Sequence, residues 1–226
     1  MKQAHFVLGE NIGDVWLGSI KEVLKNGNSH FDEDVEIKEI LGLNVEVLKP
    51  KLSDEIVDKF GDKQVVISTL RKFSRNPNMP EKPFTYGELI YNKRGIDQFE
   101  WLVNRLKNKK ETKSATISLL IEGDNNPNLP CLVIIDAKIR DNKLNLQFFF
   151  RSQNILGRQY ANLLALAKIQ FDLAKEVGVD VGILKGYVAS AHIYDYDFEI
   201  AKQILEGNNV VIKDFYYQKG PKSIRK

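Results

Sequence analysis

Two apolar runs of strand length, Cys131–Ile135 and Leu144–Phe150, flank the dipeptide Asp141-Asn142, and a long apolar run of helical spacing follows at Gly157–Val177. If the two runs are neighbouring antiparallel strands joined through Asp141-Asn142, a paired sheet is fixed in the middle of the chain. Leu166, Ile169, Leu173 and Val177 recur at three- and four-residue intervals, so the helix that follows buries an apolar face. A sheet with a buried helix against it leaves few architectures open. The same pairing brings Cys131 and Arg151 close together.

The flanking segments extend this pattern. Asn11–Lys25 places Ile12, Val15, Trp16, Ile20, Val23 and Leu24 on one helical face and ends at Asn26-Gly27-Asn28. An acidic loop around Phe31–Asp34 leads into two alternating segments, Val35–Ile40 and Leu43–Leu48, expected as strands. Ser53 is a good N-cap for a short helix reaching Phe60, and Val65–Thr69 reads as a buried strand. Arg71–Phe84, with Pro77, Pro80 and Pro83, reads as a long ordered loop. Ile96–Lys109 is an amphipathic helix with Ile96, Phe99, Leu102 and Leu106 on one face. Thr116–Ile121 is a further strand, separated from Cys131–Ile135 by an Asp124–Pro130 turn. Gly182–Ser190 leads to His192, Phe198–Glu206 is a helix, and Val210–Tyr217 is a last strand. Strands and helices without regular alternation predict an α+β fold: one mixed or antiparallel sheet with packed helices, in a single domain over residues 1–226.

Composition narrows the partners. With 43% hydrophobic and 28% charged residues, the chain has the profile of a globular soluble protein. A net charge of +3, with lysines spread along the chain, favours anionic small molecules, or no particular partner, over dedicated nucleic-acid binding. The locally basic end, residues 218–226, reads as a frayed tail. A single cysteine rules out an internal disulfide and a thiolate metal cluster and suits a reducing cytoplasm. No apolar run approaches a membrane span. His5, His30 and His192 lack ligand spacing, so no metal site is expected, and there is no phosphate loop or dinucleotide glycine fingerprint.

A cysteine after a proline in a strand is ordinarily a small buried hydrophobe. Arg151 alters that weight, because a nearby guanidinium favours the thiolate and can hold a phosphate through a two-pronged hydrogen bond. A thiolate beside a phosphate anchor is what covalent chemistry on a nucleotide base requires. The order Pro130-Cys131, Arg151-Ser152, Gly157, Asn162 and His192-Ile193-Tyr194, with Thr85-Tyr86-Gly87 upstream, resembles the thymidylate synthase family in its short, archaeal form. The resemblance covers roughly residues 84–206. Residues 1–83 match poorly and look like a shortened amino-terminal part.

The resemblance implies a role for each matched residue. Cys131 would add to C6 of the pyrimidine of 2′-deoxyuridine 5′-monophosphate (dUMP), so that C5 attacks an activated one-carbon unit and thymidylate (dTMP) results. Arg151 would hold the phosphate with support from Ser152. Asn162 would bond O4 and N3 of uracil, His192 and Tyr194 would contact the sugar 3′-hydroxyl, and Tyr86 would help order the water that removes the C5 proton. Lys113 stands where the family lends two arginines to the partner subunit's phosphate site, and Asn154 and Gly157 fall on the cofactor side. The implied donor is 5,10-methylene-tetrahydrofolate or methylene-tetrahydromethanopterin, and the implied assembly is a cytoplasmic homodimer.

Several positions depart from the family pattern. Lys113-Ser114 replaces the arginine pair, Leu132 a histidine, Asp136 a glutamine, and Asn154 the aspartate that contacts the pterin. The amino-terminal phosphate arginine and the catalytic glutamate have no assignable counterpart; Arg71, Arg75 and Glu55 are guesses. Because the departures gather on the cofactor side and at the partner's phosphate contacts, two alternatives stand: a pyrimidine nucleotide hydroxymethylase, and a catalytically inactive nucleotide- or RNA-binding relative.

Overall fold

A computed structural model of the chain describes residues 4–80, 84–121 and 129–212. The chain opens on β1 (His5–Gly9) and α1 (Ile12–Asn26), whose start is fixed by a capping box between Asn11 and Asp14. β2 (Asn28–Asp32) and β3 (Val35–Val47) form a hairpin. Four helices follow: α2 (Glu55–Phe60), α3 (Lys63–Phe73), α4 (Tyr86–Tyr91) and α5 (Gln98–Asn108). Next come β4 (Thr116–Ser118), β5 (Leu132–Arg140), β6 (Lys143–Phe150) and β7 (Gln153–Asn154). A π turn over Ile155–Gln159 then leads into α6 (Tyr160–Val177), β8 (Asp180–Tyr194) and α7 (Phe198–Leu205).

All the strands join one sheet in the order β1-β3-β8-β6-β5-β4, with β2 bonded to β3 and β7 to β8. Pairing is mixed: β1 runs parallel to β3, and β8 runs parallel to β6 and β7, while the remaining pairs are antiparallel. The fold is α+β, as the element pattern predicts. Asp141 and Asn142 are both left-handed (φ 50° and 57°) and make the two-residue turn that sets Arg140 opposite Lys143. The β5–β6 pairing expected from them carries through to Leu132 opposite Phe150.

Helices α1 and α6 lie across one face of the sheet, burying Leu43, Val45, Leu146, Leu184 and Val188, and α3 and α5 pack on α6. Parallel strands β6 and β8 slip register between Leu144 and Leu146. Buried Gln170 of α6 repairs the gap, its Nε2 donating to the carbonyls of Leu144 (2.8 Å), Ile183 (3.0 Å) and Gly182 (3.2 Å). The opposite face of the sheet has no helix among the described residues. It shows Phe6 (56% exposed), Leu8 (54%), Ile134 (36%) and Tyr187 (39%), with Leu41 (72%) beside them. Gly42, left-handed at φ 87°, bends β3 there, so that Ile40 rather than Leu41 is buried.

Local capping overrides several expectations. Val65–Thr69 is not a strand but part of α3: Asp62 accepts the Gln64 and Val65 amides, and Thr69 and Phe73 supply the buried side of the helix. Arg71–Phe73 closes the same helix, so the loop begins at Ser74. Asp54, not Ser53, caps α2, and it also takes the Gly13 amide (2.9 Å), which joins the starts of α1 and α2. Ile96 is exposed because α5 begins after it, at the Asp97 cap. Val35–Val47 is one strand rather than two, and part of the acidic loop belongs to β2. The helix expected over Gly157–Val177 starts as a π turn, where Trp16 Nε1 donates to the Ile155 carbonyl (3.0 Å). Val210–Ile212 is not in a strand. Residues 213–217, the tail and residues 124–128 lie outside the described residues.

Candidate active site

Cys131 immediately precedes β5 and is half-buried. Its carbonyl accepts the Arg151 amide (2.8 Å), which adds one rung to the β5–β6 ladder and sets the two residues side by side. A bulge between Leu132 and Ile134 shifts the register just after the cysteine; bulges of this kind re-aim side chains. The Arg151 side chain folds back on the incoming chain, Nε donating to the Pro130 carbonyl (3.1 Å) and Nη2 to that of Leu129 (2.8 Å). Two carbonyls thus hold the guanidinium through Nε and Nη2, and no acceptor among the described residues engages Nη1, whose donors suit an oxyanion. Ser152 follows, half-buried.

Tyr86 reaches the same point from the helical layer. Thr85 and Glu88 form a capping box at the start of α4. A Cβ on Gly87 would meet the Ser74 carbonyl oxygen at 1.8 Å, so only glycine lets α4 sit this close to the end of α3. Tyr86 packs its ring on Phe73 (centroids 4.5 Å), and its hydroxyl oxygen accepts the Leu132 amide proton (3.2 Å). Burial pushes this phenol up to about 12, against the lowering effect of the Leu132 amide, and the charges of Cys131 and Arg151 both bear on it. At neutral pH it is a protonated hydroxyl beside the cysteine.

From Arg151-Ser152 the chain enters β7, which pairs with Ala191 and His192 of β8. His192 is buried, and that burial lowers its pKa below the ordinary 6.5, against the upward pull of Ser190, Asp32 and Glu39. The imidazole is neutral at pH 7. Its ring meets Tyr194 edge-on (5.2 Å, 81°), and Tyr194 lies flat on Tyr196 (5.2 Å, 5°). Burial, with help from Asp32, pushes the Tyr194 phenol up to about 12, and Cys131 is near enough to contribute. Tyr86, Cys131, Arg151, His192 and Tyr194 therefore gather at one end of the sheet.

Asn154 and Gly157, expected on the cofactor side, serve a local purpose. Asn154 Oδ1 accepts the Gly157 amide (2.8 Å) and caps the π turn. Asn162 is half-buried in the first turn of α6, just beyond that turn.

Lys113 stands apart. It is exposed between α5 and β4 and lines a surface concavity with Arg105, Lys109, Glu111 and Ser114, which none of the other candidate residues line. Ser114 Oγ accepts from Arg105 Nε (3.0 Å) and Nη2 (2.6 Å), so a guanidinium does flank Lys113. The guessed arginines hold local structure: Arg71 Nε donates to the Pro77 carbonyl (2.7 Å), and Arg75 pairs with Asp97 (2.5 Å) over the Tyr91 ring. Glu55 begins α2. Leu132 is a core residue, and Asp136 accepts from Gln147 Nε2 (3.3 Å).

The sequence reading missed Arg105 and also Asp32, whose Oδ2 accepts the Tyr194 hydroxyl proton (3.1 Å). The acidic run around Asp32 was visible, but its distance to Tyr194 is set by β3 pairing with both β2 and β8.

The sequence matches the family described as Thymidylate synthase over residues 18–218, a span that takes in every candidate residue above. Three curated archaeal proteins, each carrying the name "Putative thymidylate synthase", are similar to it. The one from Methanosarcina mazei is 30% identical over 207 residues, covering 90% of this chain and 95% of its own. The one from Methanococcoides burtonii is 28% identical over 205 residues (89% and 94%). The one from Methanothermobacter marburgensis is 34% identical over 128 residues (54% and 56%). With the family match spanning most of the sequence and a relative covered almost end to end, the chain belongs to the thymidylate synthase family.

Proposed function

We propose that the chain is a cytoplasmic methyltransferase that converts dUMP to dTMP, with Cys131 as the nucleophile. The observation that carries this reading is the convergence of Cys131, the carbonyl-anchored Arg151 guanidinium and the neutral Tyr86 hydroxyl at one end of the sheet. The Cys131 thiolate forms a bond to C6 of uracil, and the C5–C6 electron pair moves toward C5 and O4. C5 then bonds the donor's methylene carbon and gives up its proton to a water ordered by Tyr86; the bond from that carbon to the pterin nitrogen breaks, and hydride transfer to the carbon expels the thiolate and restores the ring. The donor, 5,10-methylene-tetrahydrofolate or methylene-tetrahydromethanopterin, supplies the methylene carbon and the hydride.

Arg151 and Ser152 hold the phosphate. Asn162, with one amide acceptor and a pair of donors, reads uracil N3–H and O4. His192 and Tyr194 hold the sugar, and Asn154 and Gly157 border the pterin. A second copy of the chain covers the apolar face of the sheet, and Lys113, with Arg105 beside it, reaches the phosphate in the partner subunit. The test is tritium release from C5-labelled dUMP by wild type and Cys131→Ala, with each donor and without one. Release that requires the thiol supports addition at C6, and a methyl product separates this reading from a hydroxymethyl one by the mass of one oxygen. Tight nucleotide binding with no release from dUMP, uridylate or deoxycytidylate would make the chain a binding protein.

A further inference from the structure

The β2–β3 hairpin reaches the candidate site from a part of the chain that the motifs do not touch. Asp32 pairs with Val35 across the turn, and Ile37, two residues on, pairs with Tyr194 at the end of β8. This register carries the last residue of β2 around the end of β3 to the mouth of the site, where Asp32 Oδ2 accepts the Tyr194 hydroxyl proton (3.1 Å). A phenol has one proton and an ionised carboxylate has none, so the proton between them belongs to Tyr194 and is spent on Asp32. Toward any third group the Tyr194 oxygen is then an acceptor only. Phosphate oxygens and base carbonyls, which only accept, are refused; a sugar hydroxyl, which donates, is taken.

Charge points the same way. Asp32, Glu33, Asp34 and Glu36 crowd the hairpin tip, which repels a phosphate from this end and leaves it to Arg151. Tyr196, flat against Tyr194, restrains the ring whose oxygen is being aimed.

We propose that Asp32 is a positioning residue for the nucleotide sugar: by holding the Tyr194 proton it fixes the phenol oxygen as acceptor for the 3′-hydroxyl and sets the preference for nucleotides that carry one. The proposal rests on the nucleotide reading above and names a specificity determinant within it.

Isothermal titration calorimetry tests it with dUMP and 2′,3′-dideoxyuridine 5′-monophosphate as probes. Wild type is expected to bind dUMP about fivefold more tightly, the worth of one neutral hydrogen bond. Asp32→Ala should reduce that preference to within about twofold, the effect of the lost charge on the phosphate falling equally on both probes, whereas a merely structural role for Asp32 would weaken both and leave their ratio unchanged. Tyr194→Phe should reduce the preference to the same extent, leaving only what His192 contributes, and the double variant should lose nothing more, because both act through one hydrogen bond. An undiminished preference in Asp32→Ala, or losses that add in the double variant, would overturn the role of Asp32 while leaving the nucleotide reading intact. Failure of wild type to bind either probe would overturn both.

Discussion

His192 shows how burial alone sets the state of a side chain. The ring is enclosed by β3, β7 and β8, and desolvation is the largest influence on it, lowering its pKa beneath the ordinary 6.5 despite nearby Asp32 and Glu39. The unfolded chain therefore binds a proton at this position more readily than the folded one just below pH 6.5. Stability from this group is fully present above pH 6.5 and is lost as pH falls toward the lowered folded value. His192→Gln, which keeps a polar side chain without titration, should flatten the slope of unfolding free energy against pH below 6.5, as measured by urea denaturation across a pH series. An unchanged slope would mean that other groups govern the acid limb. Tyr86 and Tyr194 are pushed the opposite way by the same cause, both to about 12, so neither titrates in that range.

At the scale of elements, the placement of α4 bears on the proposed chemistry, since its first residue carries the hydroxyl beside Cys131. Gly87→Ala would force a methyl group onto the Ser74 carbonyl. It should destabilise the protein by about 1–3 kcal/mol by overpacking, lower the melting temperature, and move Tyr86 off the Leu132 amide, slowing tritium release as well. Much of this layout was legible in the sequence. The periodicity of α1, the Asp141-Asn142 turn and the long apolar run of α6 are local signals, and local structure obeyed them. Val65–Thr69 misled because its β-branched residues suggest a strand while the signal that decides, Asp62 at the N-cap, sits outside the run. β1 and β2 gave little warning, since β1 alternates over only five residues and β2 is exposed throughout.

For the whole molecule, the sheet face opposite α1 and α6 is apolar at Phe6, Leu8, Ile134 and Tyr187, with Phe149 stacked on Tyr187 (5.6 Å). Ile134→Asp would put an unpaired carboxylate into the proposed subunit contact. It should weaken dimerisation by about 3 kcal/mol, roughly a hundredfold, read by sedimentation velocity across a dilution series. A wild type that sediments as a monomer at every concentration would dispose of the dimer. The candidate site divides along the same line. That Cys131 and Arg151 lie side by side was recoverable from the strand pairing that the sequence implies. Asp32 and Arg105 were not, because their neighbours are fixed by strand register and helix packing that no spacing reveals.

The position of β8 has a consequence for how the protein is made. This strand lies between β3 and β6 and bonds to both, yet it is the last strand of the described chain to be synthesised. Ile37 must find Tyr194, and Val47 must find Leu184, across most of the sequence. Until β8 leaves the ribosome the two halves of the sheet have no common partner, and their apolar strands wait with unpaired edges. Such long-range closure is slow, and nascent chains in that condition are the ones that chaperones hold.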